Sequence, residues 1–356
     1  MSGDKQIQKA GDGSQQYQAE SITIINGITE ERVRAIFNEQ SQLARKEYTE
    51  DAYRIADERV GKFEERFMPR ITQVENALPR FSDPAFQFLL RHAQQSAATT
   101  EREADYDMLT ELLICHIQKG ENRKNRAGIN RAVEIVGEID NDALCGLTVA
   151  YSFTQFCTRT GEIFTGIQLF NNLFEKLMYQ DLPAGDSWLD HLDVLGAVRY
   201  TSFGALKKMD EILSSRLNGY ICVGIKGDSE EYRKATSLLA SAGIPSNMLC
   251  ENECMEGYYR LPFVKKPANG DPMVQDSFSQ SQIDTLNQIW DLYSKDVSLM
   301  QQAKTRFMEV WDHYDTLLRI RKWWDSIPGS FSITQIGRVL AHTNAKRCTP
   351  EVPDMI

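Results

Sequence analysis

Apolar residues recur in steps of three and four along residues 283–318, with Lys304 as the one polar interruption of the stripe. This spacing places the apolar side chains on one face of a helix, which would be roughly 54 Å long at 1.5 Å per residue. The pattern therefore predicts one long heptad helix over residues 283–327. Lys304 is expected to pair with a carboxylate or to reach solvent. The stripe consists of Ile283, Leu286, Trp290, Tyr293, Val297, Met300, Lys304, Phe307, Trp311, Tyr314 and Leu318.

The large rings of this stripe bear on what the helix packs against. Trp311 and its aromatic neighbours overfill a two-stranded coil but suit a contact among several helices. We expect the helix to pack inside its own subunit or against the first long helix of the chain, and we expect Trp311 to be buried.

A second helical pattern follows Thr29, whose hydroxyl can cap a helix. Val33, Ala44 and Ile55 are eleven residues apart, a period of about 3.67 residues per turn that disfavours a left-handed dimeric zipper. The pattern predicts one helix as far as Met68, packed along its own chain in preference to an intermolecular coil. Further amphipathic stretches follow, so residues 29–205 are predicted to form a helical domain.

The pattern changes in residues 206–266, which are predicted to form a small α+β module. Tyr220–Ile225 is a short apolar run of strand type, and Gly257–Phe263 is a candidate second strand. The stretch Glu230–Ala242 between them has a helical pattern. Strand, helix and strand in this order predict a βαβ-like unit.

The first 28 residues combine a polar stretch with the β-branched run at Ile22, Ile24 and Ile25. An isolated strand leaves both edges unpaired, so it must find a partner. These three isoleucines are therefore candidate oligomerisation residues, with docking on the small module of the same chain as the alternative.

Together these patterns predict a mainly α fold, an elongated multi-helix bundle with long helices, a small βαβ-like (α+β) module and an N-terminal β arm. Residues 267–282, rich in Pro, Gly, Ser and Gln, are predicted to be a linker. Residues 328–356 are predicted to be a C-terminal tail.

Composition narrows the possible environments and partners. The 356 residues carry a net charge of −10, which disfavours nucleic-acid binding. The chain contains no run of about 18 apolar residues, so no membrane-spanning helix is predicted. The polar start of the chain does not match a secretory signal. Seven scattered cysteines then favour a reducing, cytoplasmic location with free thiols.

Several short motifs resemble a family of bacterial conserved hypothetical proteins. They are Gly11-Asp12-Gly13-Ser14 with Gln18-Ala19, the stretches Arg131–Val136 and Gly219–Ile225, and the ending Ser332–Gly337. The resemblance implies a helical fold with a small mixed module and an association with prokaryotic, anti-phage defence. It carries over no catalytic residue.

Three groups of residues are candidate sites for chemistry. Asp186, Asp190 and Asp193 with His191 could hold a divalent cation, but a solvated acidic face explains them equally well. The Cys250/Cys254 pair lacks the second pair that structural zinc needs. The Gly224–Gly227 turn lacks the remaining residues of a phosphate-binding loop. No metal and no cofactor are predicted, and no catalytic residue is assigned.

Two basic patches are candidate anion-binding sites. One contains Arg123, Lys124 and Arg126 with His116 and Lys119 before them, and the other contains Arg319, Arg321 and Lys322 beside two tryptophans. The alternative interpretation is that basic residues near helix C-termini complement the helix dipole. A nucleic-acid sensor would need the two patches to converge.

The sequence favours a non-enzymatic, self-associating scaffold or sensor, and the defence or stress setting follows from the resemblance alone. We expect a homo-oligomer with a possible protein partner and no membrane. An enzyme such as a hydrolase or nuclease, with a site assembled from dispersed residues, is one alternative. A nucleic-acid or nucleotide sensor is the other.

Overall fold

The computed structural model of the protein describes residues 28–44, 49–75, 77–158, 160–263, 265 and 278–353. The predicted mainly helical class is confirmed, with fifteen α-helices and five short strands in this part of the chain. The helices are α1 (Glu30–Ala44), α2 (Glu50–Ile71), α3 (Ala77–Arg80), α4 (Pro84–Thr99), α5 (Glu103–Lys119), α6 (Arg123–Ile135), α7 (Asn141–Gln155), α8 (Ile163–Leu177), α9 (Ser187–Val194), α10 (Met209–Arg216), α11 (Glu230–Ser241), α12 (Gln280–Asp291), α13 (Val297–Asp312), α14 (Asp315–Ser326) and α15 (Gln335–Cys348). The strands are β1 (Val198–Thr201), β2 (Ile225–Lys226), β3 (Cys250–Glu251), β4 (Tyr258–Arg260) and β5 (Ser330–Ile333).

The predicted single helix from Thr29 to Met68 is wrong, because α1 and α2 are separate helices. The helix α2 also continues through Pro69 to Ile71. A proline within the last turn of a helix removes only one ladder hydrogen bond, so it does not stop the helix there. Both helices pack on α4, as the prediction of packing within the chain required.

Helix α2 is joined to the start of α5 and the residues before it by a row of ion pairs. The side chain of Arg59 lies 3.0 Å from that of Glu101, and the side chain of Arg66 lies 3.2 Å from that of Asp107. Lys62 and Arg66 both contact Glu103 between these pairs. The row lies at the edge of a core built from Phe37, Phe63, Phe67, Phe81 and Phe86.

The helices that share the main apolar core, α1–α10 and α13–α15, form the helical body. Helix α15 lies inside it, so the predicted C-terminal tail over residues 328–356 is wrong. It packs against α5, α6, α7 and α8. Asn344 is fully buried, and its amide donates to Thr148 Oγ1 at 2.8 Å and to Tyr179 Oη at 3.1 Å. These contacts satisfy a polar group that would otherwise be costly to bury.

A two-stranded antiparallel sheet connects the middle of the chain to α15. Strand β1 pairs with β5 in a register that sets Val198 opposite Ile333. Each strand has four residues, too few to give a clear alternating pattern, so this sheet has no counterpart among the predicted strands.

The predicted long helix over residues 283–327 is wrong, because α12, α13 and α14 occupy this range as three helices. Asp296 accepts a hydrogen bond from the Leu299 amide at 2.9 Å and so caps a new helix. The stripe is also discontinuous, since Val297 is 80% exposed. The burial of Trp311 is confirmed at 0% exposure, within its own subunit.

The small module has its own core and an antiparallel sheet. Its strand order is β2-β4-β3 with antiparallel pairs, so the predicted α+β character is confirmed but the strands are not arranged as in a parallel βαβ unit. Helix α12 packs on α11 and completes this core. The module core contains Ile225, Leu239, Leu261, Leu286 and Ile289.

Candidate ligand pocket

A cavity of about 560 Å³ lies between the small module and the helical body. The module contributes the segment Glu253–Tyr258, and the body contributes Phe164 of α8 together with residues of α13 from Leu299 to Val310. Pockets of this size commonly hold small organic ligands and often lie between separately packed parts of a protein.

The segment that lines the cavity is held in place by Asn252, which is 4% exposed. The Asn252 amide donates to the carbonyl of Cys222 at 2.8 Å and to that of Val223 at 3.1 Å. Its side-chain oxygen accepts from the Cys254 amide at 3.0 Å. One buried amide therefore folds the turn between β3 and β4 onto the module and fixes this pocket wall.

The cavity has an apolar floor and a charged rim. Met255 is 4% exposed and lies in a small apolar cluster with residues of α13. At the rim, the Arg306 guanidinium lies 3.1 Å from the Glu309 carboxylate. Glu256 has no ion-pair partner in the described part of the chain. The rim is therefore slightly acidic, while Phe164 and Tyr258 supply aromatic surface.

A buried arginine joins the module to the body next to this cavity. Arg260 is 1% exposed, and its Nη2 donates to the carbonyl of Gly161 at 2.6 Å. Its guanidinium lies 3.7 Å from Glu253 and 5.6 Å from the ring centroid of Tyr220. Glu253 in turn accepts a hydrogen bond from the amide of Ile163, the first residue of α8. Glu253 thus lines the pocket and also contacts the body.

Three thiols near this junction do not form a reactive site. Burial raises the pKa of Cys222 to about 12 and that of Cys254 to about 11. Burial also raises the pKa of Cys250. Because the thiolate is the reactive form, burial works against reactivity at these three positions.

The structure gives the Gly224–Gly227 turn a packing role. Gly224 has φ +84°, and a Cβ there would lie 2.2 Å from the Tyr259 carbonyl oxygen. Glycine is therefore required for the close approach of β4, and a phosphate-binding role is not needed to explain it.

The acidic residues around α9 engage separate partners. His191 Nε2 accepts from the Asp140 amide at 3.1 Å, and Asp193 lies 3.7 Å from Arg199. Asp186 accepts a hydrogen bond from the Tyr200 hydroxyl at 3.4 Å. Within the described residues, no group of three or more His, Cys, Asp or Glu side chains could hold a metal ion.

The first basic patch lies at the start of α6. Arg123, Lys124 and Arg126 occupy its first turn, after the N-cap Asn122. The first turn is the positive end of the helix dipole, so the interpretation that basic residues complement a helix C-terminus does not hold for these three, whereas His116 and Lys119 do lie in the last turn of α5.

The second basic patch is engaged elsewhere. Arg319 lies 3.2 Å from Asp181, and Arg321 pairs with Asp312. These residues and the exposed Lys322 belong to α14, which contacts α8, α10 and α13, whereas α6 contacts α4, α5 and α15. The two patches therefore lie on helices that pack against different elements.

The candidate oligomerisation residues Ile22, Ile24 and Ile25 lie outside the described residues, so arm-mediated association stays a prediction. Among the helices that are described, none is long and apolar enough to cross a membrane.

The model of a protein family matches residues 27–355 of the chain, and the chain belongs to this family, which is uncharacterised. No curated protein and no solved structure matches the chain.

Proposed function

We propose that this member of the family is a non-enzymatic sensor, and that its ligand enters the pocket between the small module and the helical body. The supporting observation is the double role of Glu253, which lines the pocket and accepts a hydrogen bond from Ile163 of the body. A ligand that contacts Glu253 acts on the junction that holds the two parts together.

Such a pocket suits sensing because it lies where the two parts meet: Met255 of the β3–β4 turn packs with Leu299 of α13 in one small apolar cluster, and Val310 of α13 packs against the main core of the body. A ligand that fits one relative placement of the module better than another shifts the equilibrium between the two. Cys254 is the thiol among the lining residues, and burial raises its pKa to about 11, which disfavours the thiolate and supports binding without chemistry.

The proposal includes self-association through the N-terminal arm and a setting in bacterial defence or stress. The setting has its support in the resemblance carried by the sequence motifs. Phage challenge of cells that express the parent chain or a pocket variant tests it. Equal plaque counts with and without the parent chain would contradict a defence role.

A matched pair of variants on α13 tests the pocket. Gln302 lines the cavity, whereas the exposed Ser298 lies on the same helix outside its lining. We expect the parent and Ser298→Trp to retain the same compound from a bacterial small-molecule extract, as measured by mass spectrometry after gel filtration. Gln302→Trp fills the cavity and should lose it. The proposal would be contradicted if both variants retained the compound, or if neither the parent nor Ser298→Trp retained it.

A further inference from the structure

The charges around the pocket between the small module and the helical body do not cancel. Glu253, Glu256 and Glu309 line the cavity, and Arg306 is the one basic residue among its described lining residues. The Arg306 guanidinium lies 3.1 Å from the Glu309 carboxylate, so these two charges offset each other. The Glu253 carboxylate lies 3.7 Å from the buried guanidinium of Arg260. Glu256 is left as a negative charge that no basic side chain in the described part of the chain balances.

The start of α8 does not offer the pocket a site for an anion. Phe164, the second residue of α8, lines the cavity, and the positive end of a helix dipole ordinarily favours an anion. That position is taken, because the Glu253 carboxylate accepts a hydrogen bond from the amide of Ile163. Glu162, the residue before α8, places a second carboxylate there. An anionic ligand would therefore meet the protein's own carboxylates at this helix end.

The rest of the lining is apolar and aromatic. Met255 is buried in a cluster with Leu299 of α13, and Val310 packs against the main core. The rings of Phe164 and Tyr258 border the same space. Such a surface stabilises an apolar ligand by the area that the ligand removes from water, and aromatic rings also attract an ammonium group. A ligand for this cavity therefore combines an apolar body with a positive charge.

Two neutral polar side chains can complete the binding of an ammonium group. Tyr258 and Gln302 both line the cavity, and neither side chain has a hydrogen-bond partner in the described part of the chain. A primary ammonium group has three N–H donors, which match the Glu256 carboxylate and these two side-chain oxygens in number. A hydrogen bond between an ammonium and a carboxylate is roughly twice as strong as one between neutral groups. Glu256 is thus the expected counter-ion.

We propose that this pocket binds a primary amine with an apolar body, held by Glu256 as its counter-ion. This inference rests on the proposed function, because it names the class of ligand that the sensor takes. Glu256, Tyr258 and Gln302 select the ammonium group, and the apolar floor holds the rest of the molecule.

The same lining disfavours three other classes of ligand. Phosphate compounds find no unpaired cation, because Arg260 and Arg306 are both paired with carboxylates, and the net charge of −10 adds to the repulsion. A divalent metal ion needs several oxygen ligands together, and the described residues contain no group of acidic, histidine or cysteine side chains that could hold one. A polyamine carries several charges and little apolar surface, whereas one surplus carboxylate suits a single ammonium group.

Three probes that share one apolar body and differ in charge test the ligand class. They are phenethylamine, phenethyl alcohol and hydrocinnamate, which are cationic, neutral and anionic at neutral pH. Saturation-transfer nuclear magnetic resonance with the full chain suits the Kd on the order of 1 mM that fragments of this size reach. We expect the amine to bind about tenfold more tightly than the alcohol, and the carboxylate to bind no more tightly than the alcohol.

A charge-removing variant locates the counter-ion. Glu256→Gln keeps the shape of the side chain, so it should weaken the binding of phenethylamine about tenfold and leave that of phenethyl alcohol unchanged. Glu230→Gln is the matched control, because Glu230 is an exposed residue of the same module that does not line the cavity. It has no ion-pair partner among the described residues and should bind all three probes as the parent does. Circular dichroism establishes that each variant is folded.

Gln302→Trp separates a failure of the ligand class from a failure of the pocket. If hydrocinnamate binds as tightly as phenethylamine and Gln302→Trp abolishes both, the pocket stands and the amine class is overturned. Phenethylamine binding that survives Gln302→Trp, or equal affinity of Glu256→Gln and Glu230→Gln for this amine, would overturn the assigned site. An absence of saturable phenethylamine binding to the parent would also overturn the amine class, and the retention of an extract compound decides on the pocket independently.

Discussion

The carboxylate of Glu253 lies 3.7 Å from the guanidinium of Arg260, and this pair joins the wall of the pocket to a buried charge. Arg260 is buried, whereas the Glu253 side chain is 27% exposed. Glu253 lies in the turn between β3 and β4 that Asn252 holds in place, and Arg260 lies in β4. A change in either residue should therefore affect both the stability of the module and its contact with α8.

Glu253→Gln should lower the free energy of unfolding by about 2 kcal/mol. This expected loss is smaller than the ~3–5 kcal/mol for breaking a fully buried ion pair, because Glu253 keeps contact with water. Urea denaturation measures the change, and hydrogen exchange should show faster exchange at the start of α8. Glu256→Gln is the control, since Glu256 is exposed and unpaired in the described structure, and it should match the parent. Equal stability of both variants would show that the pair contributes nothing.

Trp311→Ala should destabilise the protein by about 3–5 kcal/mol, because it leaves a large cavity. The Trp311 ring is fully buried, and its Nε1 donates to the Leu317 carbonyl at 3.2 Å across the turn between α13 and α14. Phe203→Ala, at a site that is 88% exposed, should have little effect. Thermal melts of the two variants that coincide would refute the packing role of Trp311.

Lys304→Leu should change the free energy of unfolding by less than about 1 kcal/mol. The expectation that Lys304 pairs with a carboxylate is confirmed, since its Nζ lies 2.5 Å from Asp210. Both side chains keep partial contact with solvent, so Asp210 can be hydrated when its partner is lost. Chemical denaturation tests this. A loss above about 3 kcal/mol would indicate an essential buried pair.

Glu103→Gln should lower the melting temperature at neutral pH and have less effect in acid. A hydrogen bond from Arg66 holds the pKa of Glu103 below its ordinary value of 4.5. Its stabilising contribution is therefore complete above that value and is lost as the pH falls through the folded-state pKa. Melting curves across this range should converge for parent and variant. Glu138→Gln, at an exposed residue without an ion pair in the described structure, should follow the parent throughout. A constant difference between parent and Glu103→Gln would exclude this linkage.

Deletion of residues 1–26 should give a well-folded protein of lower mass by sedimentation. The β-branched run at Ile22, Ile24 and Ile25 is expected to pair with the same run of a neighbouring subunit. An unchanged oligomer would favour other contacts, and a monomeric full-length protein at micromolar concentration would exclude the arm as an assembly element.

The helical class could be predicted because most helices bury one stripe and expose the other. The buried position of α15 could not be predicted from its pattern, because the polar residues His342 and Asn344 lie among its buried residues. Asn344 is satisfied by Thr148 and Tyr179, far away in the sequence. A local pattern cannot indicate partners of this kind.

One residue of the sequence does indicate where the predicted long helix is divided, although the apolar periodicity continues across that point. Asp296 stands directly before Val297, where an N-cap residue is expected. The pocket offered no such signal, because its walls come from α8, the β3–β4 turn and α13. The residues of one wall are separated from those of the others by dozens of positions, and no motif connects them.

The central place of α15 has a consequence for biosynthesis. Helices α5, α6 and α7 leave the ribosome well before residues 335–348, and until then the apolar groove that α15 fills is open to water. A nascent chain therefore exposes this apolar surface from the time α7 is synthesised until α15 is. Early termination before α15 would yield a product for chaperones and proteases to remove, and a slowly translated message would lengthen this vulnerable interval.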